Sequence, residues 1–170
     1  MEDLEQKLTQ RIKSKVEQAV AQKSLTPEDF KELKDEITRN ETRRFYLNYF
    51  AAVSKSHGKV NISAAARYGA YDQNNLVRKV RTDGFEIHEL MEESEEISEL
   101  EIPEEILDKG ITYFQKEILI PSIMAPYLSL LLEKNEGNIS AATREYGMDR
   151  NNFRRLLKKY GLSLTETIGK

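Results

Sequence analysis

"GNISAATREYGMDRNNFRRLLKKYG", residues 137–161, reads as two short helical phrases hinged on Tyr146-Gly147-Met148-Asp149. Asn138 or Ser140 can cap the first phrase, and its Ala141 and Ala142 allow another helix to approach closely. Gly147 provides a left-handed turn without a Cβ clash. Asp149 can cap the second phrase, which sets Met148, Phe153 and Leu157 toward a small core with Tyr160 at its edge. Gly161 closes it in the C′ position. Two short helices about a tight glycine turn predict a helix-turn-helix.

The opposite face of the second phrase carries Arg150, Asn151, Asn152, Arg154, Arg155, Lys158 and Lys159. A major groove asks for this inventory: Arg pairs bidentately with guanine, Asn does so with adenine, and Lys meets phosphate. The N-terminal residues of a recognition helix reach base edges, which puts Arg150, Asn151 and Arg154 nearest the bases. Ser140, near the start of the preceding helix, is placed to meet a phosphate. From Lys134 to Lys159 there are seven cations against three anions, although the chain as a whole has a formal net charge of -3. The positive charge is local.

A looser copy of the same phrase stands earlier in the chain. "NISAAARYGAYDQNNLVRKVRTDGF" (61–85) aligns without gaps on "NISAATREYGMDRNNFRRLLKKYGL" (138–162) with eleven identities in 25 positions. Upstream, "LTPEDF" and "EIPEEI" correspond more loosely, each ahead of an apolar helix. An internal duplication follows, with modules at 25–86 and 102–163. In the first copy Gln73 replaces Arg150 and Val77 replaces Arg154, and Tyr68-Gly69 sits one register earlier than Tyr146-Gly147. A shorter first helix and a longer turn are expected there. Ser63, Arg67, Gln73, Asn74, Asn75, Arg78, Lys79 and Arg81 remain as candidate DNA contacts, in a weaker or differently specific reader.

Residues 137–162 closely resemble the C-terminal helix-turn-helix of the Fis family, which also closes activators of the NtrC type. The pattern is roughly G-N-x-[ST]-x-A-A followed by G-[IM]-[ND]-R-x-T-[LF]-R-[KR]-K-L-K-K-Y-G. The resemblance is specific over that stretch and weak elsewhere. It implies a module in which two upstream helices pair subunits and the last two bind DNA. By position, Ser140 would contact backbone, and Asp149, Arg150, Asn152, Arg154 and Arg155 would occupy the DNA-contacting positions. Two departures stand out: Asp149 where the family often has Asn, and Leu156 where a Lys is common. The function so implied is a bacterial, cytoplasmic, nucleoid-located reader of double-stranded DNA, either a transcription regulator or a nucleoid-associated factor. With two unlike heads on one chain, a non-palindromic site is the natural target if the heads stand about one DNA turn, roughly 34 Å, apart.

The rest of the chain fits an all-α protein. It has 170 residues, only four prolines and eight glycines, with 39 % apolar and 32 % charged content. Leu4, Leu8, Ile12, Val16 and Val20 form a single stripe at a spacing of four, the mark of an amphipathic helix over 1–24. That stripe either packs on its own chain or pairs two chains as a homodimer. Thr26 and Pro27 start the next helix, with Phe30, Leu33 and Ile37 on its apolar face, and Phe45, Tyr46, Tyr49, Phe50 and Val53 continue it. From Glu86 to Asp108 there are eleven Asp or Glu and no Lys or Arg, read as an acidic linker over 87–101 that is either solvated or, through Leu90, Met91, Ile97, Leu100 and Ile102, folded in part as an acidic helix up to Pro103, and that could compete with nucleic acid for a basic face. Residues 164–170 form a tail.

Cysteine is absent, so disulfides and thiolate metal sites are excluded, and two separated histidines, His57 and His88, do not suggest a metal centre. No apolar run reaches membrane-spanning length, and no signal-peptide core opens the chain. No glycine loop for phosphates, no Ser-His-Asp set and no Cys-His set is present, so neither an enzyme nor a cofactor is expected. The rival reading is a protein-interaction adaptor built on helix-turn-helix domains, with a protein partner and a first module that is structural only. RNA is a weaker third partner, because the aromatic residues read as buried.

Overall fold

In the computed structural model, described over residues 4–22, 26–69 and 71–162, the chain is all-helical, 79 % helix, with no strand among the described residues. The tail at 164–170 and the ends of the 1–24 segment lie outside the described residues. The helices are α1 (Leu4–Gln22), α2 (Pro27–His57), α3 (Ile62–Tyr68), α4 (Gln73–Thr82), α5 (Ile87–Ser94), α6 (Glu104–Lys109), the single turn α7 (Ile111–Tyr113), a π-helical stretch Phe114–Leu119, then α8 (Ile120–Lys134), α9 (Ile139–Tyr146) and α10 (Arg150–Lys159).

Local chemistry sets these limits. Thr26 and Asp29 cap α2 reciprocally, the Asp29 N–H donating to Thr26 Oγ1 at 3.1 Å and the Thr26 N–H to Asp29 Oδ2 at 3.4 Å, with Pro27 at the first helical position. The duplication recurs in the helix ends. The register that sets Asn61 on Asn138 also sets the starts of α2, α3 and α4 on the starts of α6, α9 and α10. It sets the ends of α2 and α4 on the ends of α8 and α10 as well. The two upstream stretches differ in continuity. The first is one unbroken helix of 31 residues, whereas the second is broken at Gly110 and passes through the π-helical stretch just ahead of Pro121. A proline cannot donate to the ladder and crowds the preceding turn, and a widened turn accommodates it.

Two compact units emerge, and they do not coincide with the modules 25–86 and 102–163. Among the described residues, the first comprises 4–8 and 37–118, and the second comprises 9–36 and 119–162. The first unit therefore holds α3 and α4 with 104–118, and the second holds α9 and α10 with 27–36. Segments 27–36 and 104–113 correspond in the register of the duplication, so each unit is completed by the upstream segment of the other copy.

In the first unit the core is aromatic. Phe45, Tyr46, Tyr49 and Phe50 are all buried, and Phe45 meets Phe114 with ring centroids 5.0 Å apart. Leu76 and Val80 of α4 and Ala64–Ala66 of α3 close on it. Apolar burial of this kind stabilises by about 25 cal/mol per Å². In the second unit Phe30 stacks on Tyr127 at 3.6 Å, while Tyr146 lies 6.2 Å from Phe153, which is fully buried.

Two readings that the sequence leaves open take one form here. The acidic linker 87–101 is largely folded: α5 buries Ile87, Leu90, Met91 and Ser94. Arg43 pairs with Glu93 and Arg44 with Glu101, and Lys55 donates to the Ser98 carbonyl at 3.0 Å. The buried Asn48 side-chain oxygen accepts from the Glu101 and Ile102 N–H groups at 2.6 and 3.2 Å. The carboxylates are solvated on one face while the apolar residues at helical spacing supply the other. Second, the N-terminal stripe is consumed within the chain: Leu8, Ile12 and Val16 are buried and only Leu4 stands exposed. A homodimer through this stripe loses the three central residues of its contact.

Candidate nucleic-acid interface

The second helix pair is built as its residues dictate. Asn138 caps α9, its side-chain oxygen accepting from the Ala141 N–H at 3.0 Å. Gly147 takes φ +89 at the turn, a left-handed conformation costly for any residue with a Cβ. Asp149 caps α10, accepting from the Asn152 N–H at 2.9 Å. At the far end the Leu162 N–H bonds to the Leu157 carbonyl at 2.8 Å and the Gly161 N–H to Lys158 at 3.2 Å, the paired bonds of a Schellman motif. Phe153 and Leu157 are buried.

That anchoring turns Arg150, Asn151, Arg154, Arg155, Lys158 and Lys159 outward, all exposed. A groove of about 700 Å³ opens beside the start of α10, lined by Thr143, Met148, Asp149, Arg150, Asn151 and Arg154. The three residues placed nearest the bases by sequence thus share one concavity. Among the described residues no cation of α10 is paired with a carboxylate. Asn152 is less available: its amide donates to Asp149 Oδ2 at 2.9 Å and its oxygen accepts from Arg155 at 3.2 Å. Ser140 is half-buried, and its carbonyl accepts from the Thr143 hydroxyl at 2.9 Å.

The first pair repeats the frame with fewer cations facing out. Asn61 caps α3 at 2.8 Å and Asp72 caps α4 at 2.9 and 3.3 Å. Phe85 and Gly84 close α4 with the same two bonds, to Val80 and Arg81. Arg78 bonds Asn75 at 3.1 Å, as Arg155 bonds Asn152. α3 has seven residues against eight in α9. Gly69 is needed there for a different reason from Gly147, because an added Cβ would lie 2.4 Å from the Tyr49 hydroxyl and 2.6 Å from the Tyr71 ring. Ser63, Arg67, Gln73, Asn74, Asn75, Arg78 and Arg81 are exposed.

Lys79 is the exception: it is half-exposed and bonded to groups of its own unit. Its ammonium lies 3.3 Å from Asp83 and 3.2 Å from the Gln115 side chain. Asp83 also accepts from the buried Tyr46 hydroxyl at 2.6 Å. Burial, then the bond to Asp83, drives the Tyr46 pKa far up, so this phenol stays a neutral donor.

Sequence reading left out Thr143 and Arg144, and it set Met148 toward the core, whereas Met148 is only half-buried. Thr143 and Met148 line the groove, and Arg144 is exposed on α9. Only Arg144 carried a signal, through its match to Arg67. Among the described residues no group of His, Asp or Glu could hold a metal ion, and no helix is long and apolar enough to cross a membrane.

Fold and site together define an all-α chain with two capped helix pairs, one of which presents an unneutralised cationic face. No family model, curated protein or solved structure matches the chain.

Proposed function

We propose that the chain is a sequence-reading double-stranded DNA-binding protein of the bacterial Fis type, with two helix-turn-helix heads on one polypeptide. The observation that carries this reading is the outer face of α10, which bears five cations in ten residues, exposed and without a carboxylate partner among the described residues. Such a field attracts a polyanion, and the groove beside Arg150, Asn151 and Arg154 lets base edges approach groups that can read them. The second head is the principal reader. The first, with Gln73 and Val77 in place of two arginines and Lys79 turned inward, chiefly holds phosphate through Arg67, Arg78 and Arg81.

The exchange of upstream segments supports the same reading. Two heads completed by each other's segments form the single-chain counterpart of a pair of subunits. Binding to a mixed pool of short duplexes across a salt series tests the proposal. A log–log slope of roughly -5 or steeper is expected from the α10 cations together with those of α4. Absence of duplex binding at low salt overturns the reading and turns attention to a protein partner.

A further inference from the structure

The two helix pairs hold their outer faces in one frame. Asp72 caps α4 and Asp149 caps α10. Leu76 and Val80 anchor the first helix, Phe153 and Leu157 the second, and all four are buried. The Arg78–Asn75 bond at 3.1 Å recurs as Arg155–Asn152 at 3.2 Å. Each helix therefore turns matching positions outward, and the two faces differ by side chain rather than by geometry.

That difference is concentrated in the first turns. The part of α10 that lines its groove contributes Arg150, Asn151 and Arg154. The matching residues of α4 are Gln73, Asn74 and Val77. The asparagine is retained, whereas both arginines are replaced. The replaced positions stand four residues apart, on one side of the helix. Gln73 is exposed and Val77 half-exposed, so neither is needed to fill the core. Further along, Arg81 matches Lys158, a cation for a cation.

The chemistry of the two replacements is specific. A side-chain amide holds a donor beside an acceptor, which matches adenine N6 and N7. A guanidinium holds donors alone, which matches guanine O6 and N7. Valine has neither, and its apolar surface suits the thymine methyl group. Exchanging two arginines for Gln and Val changes which base is preferred, and not only how tightly DNA is held.

Resting on the DNA-binding reading above, we propose that positions 73 and 77 set the base preference of α4, as 150 and 154 set that of α10. Gln73 favours adenine and Val77 favours thymine, where the two arginines favour guanine. Arg78 and Arg81 hold phosphate beside them and carry no base preference. The target is then a composite of one A·T element and one guanine-bearing element.

Enrichment of bound sequences from a randomised duplex pool at low salt, with the full chain, tests this. Wild type is expected to enrich two base patterns, one A·T and one with guanine. Gln73→Arg/Val77→Arg should lose the A·T pattern and enrich guanine in its place, and Gln73→Arg alone should convert the adenine position only. Melting temperatures should stay near wild type, because neither side chain is buried. On an enriched duplex, replacing the adenine pair by a G·C pair should weaken wild type by roughly tenfold and not weaken the double variant. Base identity is the readout, because added cations alone raise affinity for all sequences alike. A wild type that enriches guanine patterns alone, or an A·T pattern that survives both variants, overturns the proposal and leaves the DNA-binding reading standing. No enrichment by wild type overturns that reading and the proposal with it.

Discussion

Lys79, in the last turn of α4, and Asp83, the residue just past its end, face each other at 3.3 Å. The matching positions in the second copy are Leu156 and Tyr160, which cannot make that pair. One copy thus draws a cation into the protein, and the other leaves its cations to solvent. The two helix pairs differ in kind, although their caps and ends match.

Replacing Lys79 separates stability from binding. Lys79→Ala is expected to cost about 0.5–1 kcal/mol in a urea melt, as a half-exposed ion pair does, and to leave duplex affinity within about twofold. Arg78→Ala, on the exposed face, should show the reverse, with affinity weakened and stability nearly unchanged. Equal losses of affinity in the two variants would place Lys79 on the DNA face.

Tyr46→Phe removes the hydroxyl that donates to Asp83 at 2.6 Å. The loss should be about 1–2 kcal/mol by chemical denaturation, because Asp83 is largely enclosed and keeps only Lys79 and Gln115 as partners.

The two glycines of the paired turns should respond unequally to alanine. Gly147→Ala meets nothing within 4 Å and bears only the left-handed strain, about 1–2 kcal/mol. Gly69→Ala drives a Cβ against Tyr49 and Tyr71 in a close-packed core and should exceed it. Thermal melts of both variants give the order, and Gly147→Ala proving the worse would contradict the packing described here.

Asp149 has two roles that one substitution can part. Asn keeps a capping oxygen for the Asn152 N–H and removes a negative charge from the cationic face. Asp149→Asn should leave stability within about 0.5 kcal/mol and tighten duplex binding several-fold. Asp149→Ala should lower stability by about 1 kcal/mol.

Acid should loosen the second unit. Burial works to raise the Glu145 pKa, but hydrogen bonds from Lys134 and Asn135 and the Lys134 charge outweigh it, so the folded value lies below the ordinary one. A carboxylate depressed on folding stabilises at pH above its unfolded value, about 4.3. That stability is lost as pH falls through the lower folded value. Lys134→Ala should flatten this acid limb in pH-dependent melts.

Much of the frame is legible in the sequence because caps are local. Asn61, Asp72 and Gly84 recur as Asn138, Asp149 and Gly161, and each satisfies the backbone groups of its own helix end. The outward set Arg150, Asn151 and Arg154 is readable because Phe153 and Leu157 fix the buried face. Long-range features carry no such signal. The fate of Lys79 depends on Gln115, 36 residues away. The acidic stretch leaves a solvated linker and a partial helix both open, because eleven carboxylates surround the few apolar residues at helical spacing. The segment exchange is invisible in principle, because both copies carry an apolar helix at the same offset and either could complete either unit.

Duplex binding by Arg150→Ala/Arg154→Ala beside wild type, across a salt series, tests the central claim most directly. Loss of affinity with a log–log slope shallower by roughly 2 is predicted, as expected when two cations stop neutralising phosphate. Unchanged affinity and slope would contradict the placement of the α10 face on DNA.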